Sequence, residues 1–221
     1  MGPRIVEAYV GEYASGKSEV AVNRALELAG YGRKVTLVDL DIVEPFYTLR
    51  PIKKELEQKG IAVLAWETKD TVGLGETGNV LRAENRWALR RDGDIILDIG
   101  YGAEGAKTLN LLEDAVTDPD LRVYAVINIA RPMTGTAPEI LEYVRELGRV
   151  DGLVNNSHLG DDTDVEIVRE GARLVAAVAG ELGVNVVATT AVVNVAEQIG
   201  PEDGFGNPVR KLVRYMPRTF W

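Results

Sequence analysis

Short apolar runs alternate with stretches in which apolar residues recur at helical spacing, and the alternation continues along nearly the whole chain. The runs predict strands over 4–10, 34–40, 61–65, 94–99, 121–128, 151–155 and 184–189; the periodic stretches predict helices near 17–30, 48–59, 78–91, 106–116, 136–148 and 164–182. Ile95-Ile96-Leu97, Val123 to Ile127 and Val184 to Ala188 are almost wholly apolar, which suits parallel strands covered on both faces. Helices set between such strands by short, Gly-punctuated links imply right-handed crossovers. The expected fold is therefore a three-layer α/β/α sandwich around a mostly parallel sheet of about seven strands. With no internal repeat, low-complexity tract or linker, residues 1–221 read as one domain.

Ligands of such sheets sit beyond the carboxyl ends of the strands, which selects the links 11–18, 41–47, 66–77, 100–105, 129–135, 156–163 and 190–195. The first is Gly11-Glu12-Tyr13-Ala14-Ser15-Gly16-Lys17-Ser18, which satisfies G-x-x-x-x-G-K-[ST] between an apolar strand and a helical pattern. Its glycines let backbone N–H groups face a polyphosphate at a helix N-terminus. Lys17 is expected to reach the β/γ-phosphates and the Ser18 hydroxyl to ligate Mg²⁺, as in the P-loop NTPase fold.

Carboxylates follow where that chemistry needs them. The second strand ends Val38-Asp39-Leu40-Asp41, whose period of two puts both aspartates on one side of an extended backbone. The fourth ends Ile95-Ile96-Leu97-Asp98-Ile99-Gly100, the Walker B pattern. One such carboxylate supports the Mg²⁺ shell while another polarises the attacking water; Asp98 is assigned the first role and Asp39 or Asp41 the second, with Asp41 also a candidate metal residue. A strand-end Asp taken singly serves as readily to cap a helix or form a turn.

These motifs in this order resemble the CobQ/CobB/MinD/ParA-type nucleotide-binding domains of the SIMIBI class. The runs Val38 to Phe46 and Gly152 to Gly160 are similar to those of a prokaryotic subgroup of ATP-binding proteins in that family. The resemblance spans essentially the whole chain. It implies a homodimer with ATP at its interface, closed by ATP and reset by hydrolysis to ADP, acting on a protein client. Many members carry a second lysine directly after the first loop glycine, reaching across the dimer; here that residue is Glu12.

Asn156 follows the sixth strand, and its amide offers donor and acceptor to a purine edge; the resemblance assigns an asparagine here to adenine. The Asn-Lys-x-Asp form of a guanine site is absent, so ATP is expected over GTP. Arg131, after the fifth strand, suits phosphate or a client carboxylate by its fork of donors, or equally a surface ion pair. His158 lies in the 156–163 link, a candidate nucleotide contact, although a loop histidine with no catalytic partner is more often structural. Thr163 and Glu166 are spaced as a capping box, which accounts for the acidic run 161–166 without a metal. The Gly/Thr-rich stretch 66–78 reads as a loop, and the cationic, aromatic tail from Val209 to Trp221 as a short helix cut at Pro217 that packs on the domain.

Composition narrows the remaining classes. A net charge of -9 opposes general nucleic-acid binding, and the absence of cysteine removes disulfides, thiolate metal sites and iron–sulfur clusters. Met-Gly-Pro-Arg enters the first strand directly and no apolar run approaches the ~20 residues of a membrane span, so neither a secretion signal nor a transmembrane segment is expected and the location is expected to be cytoplasmic. The reading is a Mg²⁺-dependent ATPase switch. The alternatives are a ligase or kinase of the dethiobiotin synthetase or cobyrinate amidase type, and a switch that binds ATP without hydrolysing it.

Overall fold

The structure is a computed structural model that describes residues 2–41, 49–65 and 83–216. In chain order its elements are β1 (Val6–Gly11), α1 (Lys17–Gly30), β2 (Val35–Leu40), α2 (Lys53–Gln58), β3 (Ile61–Leu64), α3 (Ala83–Arg86) and β4 (Asp94–Ile99). There follow α4 (Gly102–Ala106), β5 (Leu121–Ile127), α5 (Ala137–Glu146), β6 (Gly152–Asn155), α6 (Val165–Leu182), β7 (Asn185–Val192), α7 (Val193–Ile199) and β8 (Val209–Leu212). The strands form one sheet in the order β3-β2-β4-β1-β5-β6-β7-β8, and every pairing is parallel. The expected three-layer sandwich is present, with eight strands among the described residues where about seven are expected.

The apolar runs explain the layers. Every residue of β1, β2 and β4 is buried, because both faces of the sheet centre are covered. On one face Tyr9, Leu37, Ile96, Val126 and Val154 pack against Val20, Ala21, Ala25 and Leu28 of α1 and Leu56 of α2. On the other, Ala8, Val38, Leu97, Ala125 and Leu153 pack against Ile140, Tyr143 and Val144 of α5 and Val175, Val178 and Ala179 of α6. The chain leaves β1 toward β2 on one side, whereas β5 lies on the other, so the strand order reverses at β1 and opens a crevice at its carboxyl end.

Four local expectations change. The helix read over 106–116 is the short α4 followed by a 3₁₀ turn, Lys107–Leu111. Gly105 packs onto the Gly100 carbonyl, where a Cβ would lie 2.0 Å from the oxygen, and this draws the helix start back to Gly102. Val209–Leu212 is a strand, not a helix: its side chains follow period two and β7 supplies an edge to pair with. The link at 190–195 is the end of β7 running straight into α7. The cap of α6 is Asp164, which accepts from the Ile167 N–H at 2.9 Å. Thr163 is committed to the preceding turn, donating to the Gly160 carbonyl at 2.6 Å and accepting from Leu159 N–H at 3.0 Å.

The 66–78 loop, most of the Val38 to Phe46 run and the end of the tail lie outside the described residues. Among the described residues, no helix is long and apolar enough to cross a membrane.

Candidate functional site

The crevice holds the glycine-rich loop, and its shape follows from three residues. Gly11 ends β1 so close to the next strand that a Cβ would lie 2.6 Å from the Val126 carbonyl and 2.9 Å from Ser15 Oγ. Ala14 (φ 54°) and Gly16 (φ 84°) then adopt left-handed backbone, and a Cβ on Gly16 would meet Asn156 Nδ2 at 2.2 Å. Ser15 N–H closes the turn on the Glu12 carbonyl at 3.1 Å, and α1 begins at Lys17 with Gly16 at its N-cap making no side-chain capping bond. Such a helix start presents positive backbone dipoles to the crevice. Lys17 is buried and its Nζ donates to the Glu12 carbonyl at 3.3 Å.

Beside the loop lies a cavity of about 290 Å³, with Tyr13, Ala14, Gly16, Lys17 and Ser18 on one wall. Asp41 and Tyr101 line it on the β2 and β4 side; Asn156, His158, Thr190, Leu212, Arg214 and Met216 line it on the β6 to β8 side. Tyr13 and Tyr101 meet edge to face, with ring centroids 5.6 Å apart.

The three aspartates separate into distinct environments. Asp39 and Asp98 are adjacent in the register of β2 and β4, both buried beneath the loop. Asp39 Oδ1 accepts from Asp41 N–H at 3.1 Å and Oδ2 from Leu49 N–H at 3.0 Å, so Asp39 shapes the link after β2. Asp98 accepts a hydrogen bond from the Ser18 hydroxyl, while its Oδ1 is buried with no hydrogen-bond partner. Burial first, then the Asp39 charge, push the Asp98 carboxyl up to about 8, against the opposing pull of Lys17 and Ser18. An unpartnered carboxylate oxygen next to a serine hydroxyl is a donor set that fits Mg²⁺, an ion that takes one or two protein ligands and keeps water and phosphate for the rest. Among the described residues no three acidic or histidine side chains form a metal cage.

The remaining candidates brace the loop. Asn156 donates from Nδ2 to the Ser15 carbonyl at 2.8 Å and accepts at Oδ1 from the Thr190 hydroxyl at 2.7 Å. A carboxamide has two N–H groups and two acceptor positions, so these contacts leave one of each toward the cavity. The Glu12 carboxylate accepts from Met133 N–H, at 3.4 and 3.3 Å to its two oxygens, and from the Thr134 hydroxyl at 3.2 Å. It therefore ties the loop to the turn after β5. Arg131 stands in that turn, half-buried, with Nε buried and unpartnered, and it does not line the cavity. His158 does line it: its Nδ1 accepts from Gly160 N–H at 3.3 Å, which leaves the proton on Nε2 beside Gly16. Burial, with the Arg131 and Arg214 charges, holds this imidazole down at about 4 and neutral at pH 7.

Thr190 and Tyr101 lie in the selected links 190–195 and 100–105 but are not singled out there, and the stretch Leu212 to Met216 falls outside every selected link. Thr189-Thr190 at the end of an apolar strand was a signal for the first; the last lay under a helical reading that hid its period of two.

No family model matches the sequence, and no curated protein matches it. Solved structures do. The chain superposes on FtsY from Thermotoga maritima with a TM-score of 0.55 at 17% identity, over 99% of this chain and 67% of that one. For the signal recognition particle receptor FtsY from Elizabethkingia anophelis in complex with GDP the values are 0.55 and 16%, over 100% and 63%. For FlhF complexed with GTP and Mg²⁺ they are 0.54 and 11%, over 99% and 73%. The chain thus spans about two thirds of the length of the FtsY chains. At these identities the likeness is one of fold, and these structures are not of the MinD/ParA subgroup whose motifs the sequence resembles. The shared fold is the three-layer α/β/α sandwich of P-loop NTPases.

Proposed function

We propose that this chain is a Mg²⁺-dependent P-loop nucleoside triphosphatase that binds ATP, and whose nucleotide cycle works as a switch on a protein client. The observation that carries the reading is the Ser18–Asp98 pair, with its unpartnered carboxylate oxygen, under a loop whose backbone geometry only a Gly-x-x-x-x-Gly spacing permits. Bound Mg²⁺ supplies charge neutralisation at the phosphate oxygens. Lys17 would hold the phosphates, and Ser18 with Asp98 would hold the metal. Asp39 has both oxygens on backbone N–H groups, so the orientation of water falls to Asp41, which lines the cavity. Gly11 to Ser18 form the phosphate cradle, and Asn156 offers its remaining donor and acceptor to the base.

ATP is preferred because the position three residues after Asn156, where a guanine site places its carboxylate, is Leu159. FtsY and FlhF are described with GDP and GTP, so MgATP and MgGTP belong in one titration. Glu12, fastened to residues 133 and 134 of its own chain, supports no borrowed trans-lysine; a homodimer, if formed, uses other contacts. That same anchor supports the second reading, a switch with slow turnover. The ligase reading drew on Arg131, which does not line the cavity, and on the stretch 66–78, which lies outside the described residues.

The test is calorimetry and phosphate release. Lys17→Ala is expected to abolish MgATP binding; undiminished affinity sinks the nucleotide assignment. Asp41→Asn is expected to bind MgATP but lose hydrolysis, and equal rates remove Asp41 from the mechanism. A tighter response to MgGTP reverses the choice of base while leaving the loop's role in place.

A further inference from the structure

The sheet order sorts the cavity into two ends. The carboxylates of β2 and β4 lie on one side of β1, and β5 to β8 lie on the other, so phosphates and metal belong over the first side and a nucleoside over the second. Beyond Val192 the second end is walled by the chain that leaves β8. Leu212, Arg214 and Met216 line the cavity at every second position, as an extended backbone requires, while Val213 is exposed and Tyr215 is buried in the core against α1.

This segment is fastened to the helix that carries the phosphate loop. Asn23 holds Val213 by both backbone groups, donating to its carbonyl at 2.9 Å and accepting from its N–H at 2.8 Å. One turn earlier, the Glu19 carboxylate accepts from the N–H groups of Tyr215 and Met216. Lys59 donates to the Tyr215 hydroxyl at 2.9 Å and sits 4.7 Å from the ring centroid. Glu19 directly follows Ser18, so the phosphate cradle and this wall are two ends of one rigid unit.

Building on the nucleotide reading above, we propose that residues 212–216 are the nucleoside wall of the site, and that Arg214 and Met216 are residues that determine affinity for a purine ring. Met216 and Leu212 give the ring an apolar, polarisable surface, and the Arg214 guanidinium, half-exposed at the mouth and paired with Asp161, brings a planar cation to its face or acceptor edge. Asn23 does not line the cavity; it is a positioning residue for the wall.

The experiment uses the full chain and two probes with Mg²⁺: inorganic tripolyphosphate, which engages the cradle alone, and whichever of the adenosine and guanosine β,γ-imido-triphosphates binds more tightly. Arg214→Ala and Met216→Ala are each expected to weaken the nucleotide about tenfold, with tripolyphosphate within twofold of wild type. Asn23→Ala should shift the same ratio in the same direction by less. Arg214 is exposed enough for its variant to fold in any case, and circular dichroism checks all three. An unchanged ratio of the two affinities, with wild type binding both probes, overturns the wall while leaving the nucleotide reading in place. A wild type that binds neither probe overturns both.

Discussion

Asp98→Asn keeps the shape of a buried side chain and removes its ionisable group, so it reads how much stability the fold gives up to bury a carboxyl here. In the folded protein burial and the Asp39 charge push this carboxyl from its ordinary 3.8 up to about 8. The native state therefore holds the proton more tightly than the unfolded chain. Stability from this group is fully present below 3.8 and is lost as pH rises toward 8. Each unit within that window costs up to about 1.4 kcal/mol, so the step from pH 5 to pH 8 costs the wild type about 4 kcal/mol through this one side chain. The asparagine variant escapes that cost. Urea unfolding with EDTA present and nucleotide absent, at both pH values, gives the difference between variant and wild type. That difference should grow in favour of the variant by about 4 kcal/mol between pH 5 and pH 8, or about 10 °C in Tm for a chain of this size. The same variant should lose Mg²⁺-dependent tightening of nucleotide binding. A difference that is equal at the two pH values, or a variant less stable than wild type at pH 8, refutes the reasoning.

Two further outcomes are expected. Asn156→Ala removes two buried hydrogen bonds and leaves the Ser15 carbonyl without the amide, at a cost of about 2 kcal/mol in unfolding free energy and a fall in nucleotide affinity; unfolding titrations that overlay the wild type would show the brace to be idle. His158 is the single histidine, and its NMR titration should centre near 4, with no inflection between pH 6 and 8. Its folded value lies below the unfolded one, so the stability it confers is present above about 6.5 and is lost as pH falls toward 4. A midpoint near 6.5 would mean that the ring is solvated and that Arg131 and Arg214 lie farther away.

Much of this arrangement was legible from residues alone, for identifiable reasons. The loop Gly11 to Ser18 is local chemistry, since its glycines, lysine and serine act within eight consecutive positions. The strands of the sheet centre are apolar at nearly every residue because nothing but helix covers them, and so Ile95 to Leu97 announces both a parallel strand and the aspartate at its end. What was hidden depends on distant partners. Asp39 and Asp41 were equal candidates for orienting water, and spacing could not show that the Asp41 and Leu49 N–H groups engage the two Asp39 oxygens. That the Asn156 amide also braces Ser15 and Thr190 could not be read from its position after an apolar strand. Thr163 looked like a helix cap because spacing cannot show that Gly160 and Leu159 already occupy its hydroxyl. Val209 to Leu212 was misread because four residues carry too little period to outweigh their basic, tail-like composition.

The clasp of Asn23 on Val213 joins positions 190 apart. During synthesis the glycine loop, its lysine and both strand-end carboxylates emerge and can fold while the far end of the cavity does not yet exist. Loop closure across such a span carries an entropic cost that must be met before the contact returns anything. The cavity is thus incomplete until residue 216 has left the ribosome. A complete cavity then marks a chain whose helix α1 and the segment after β8 have met.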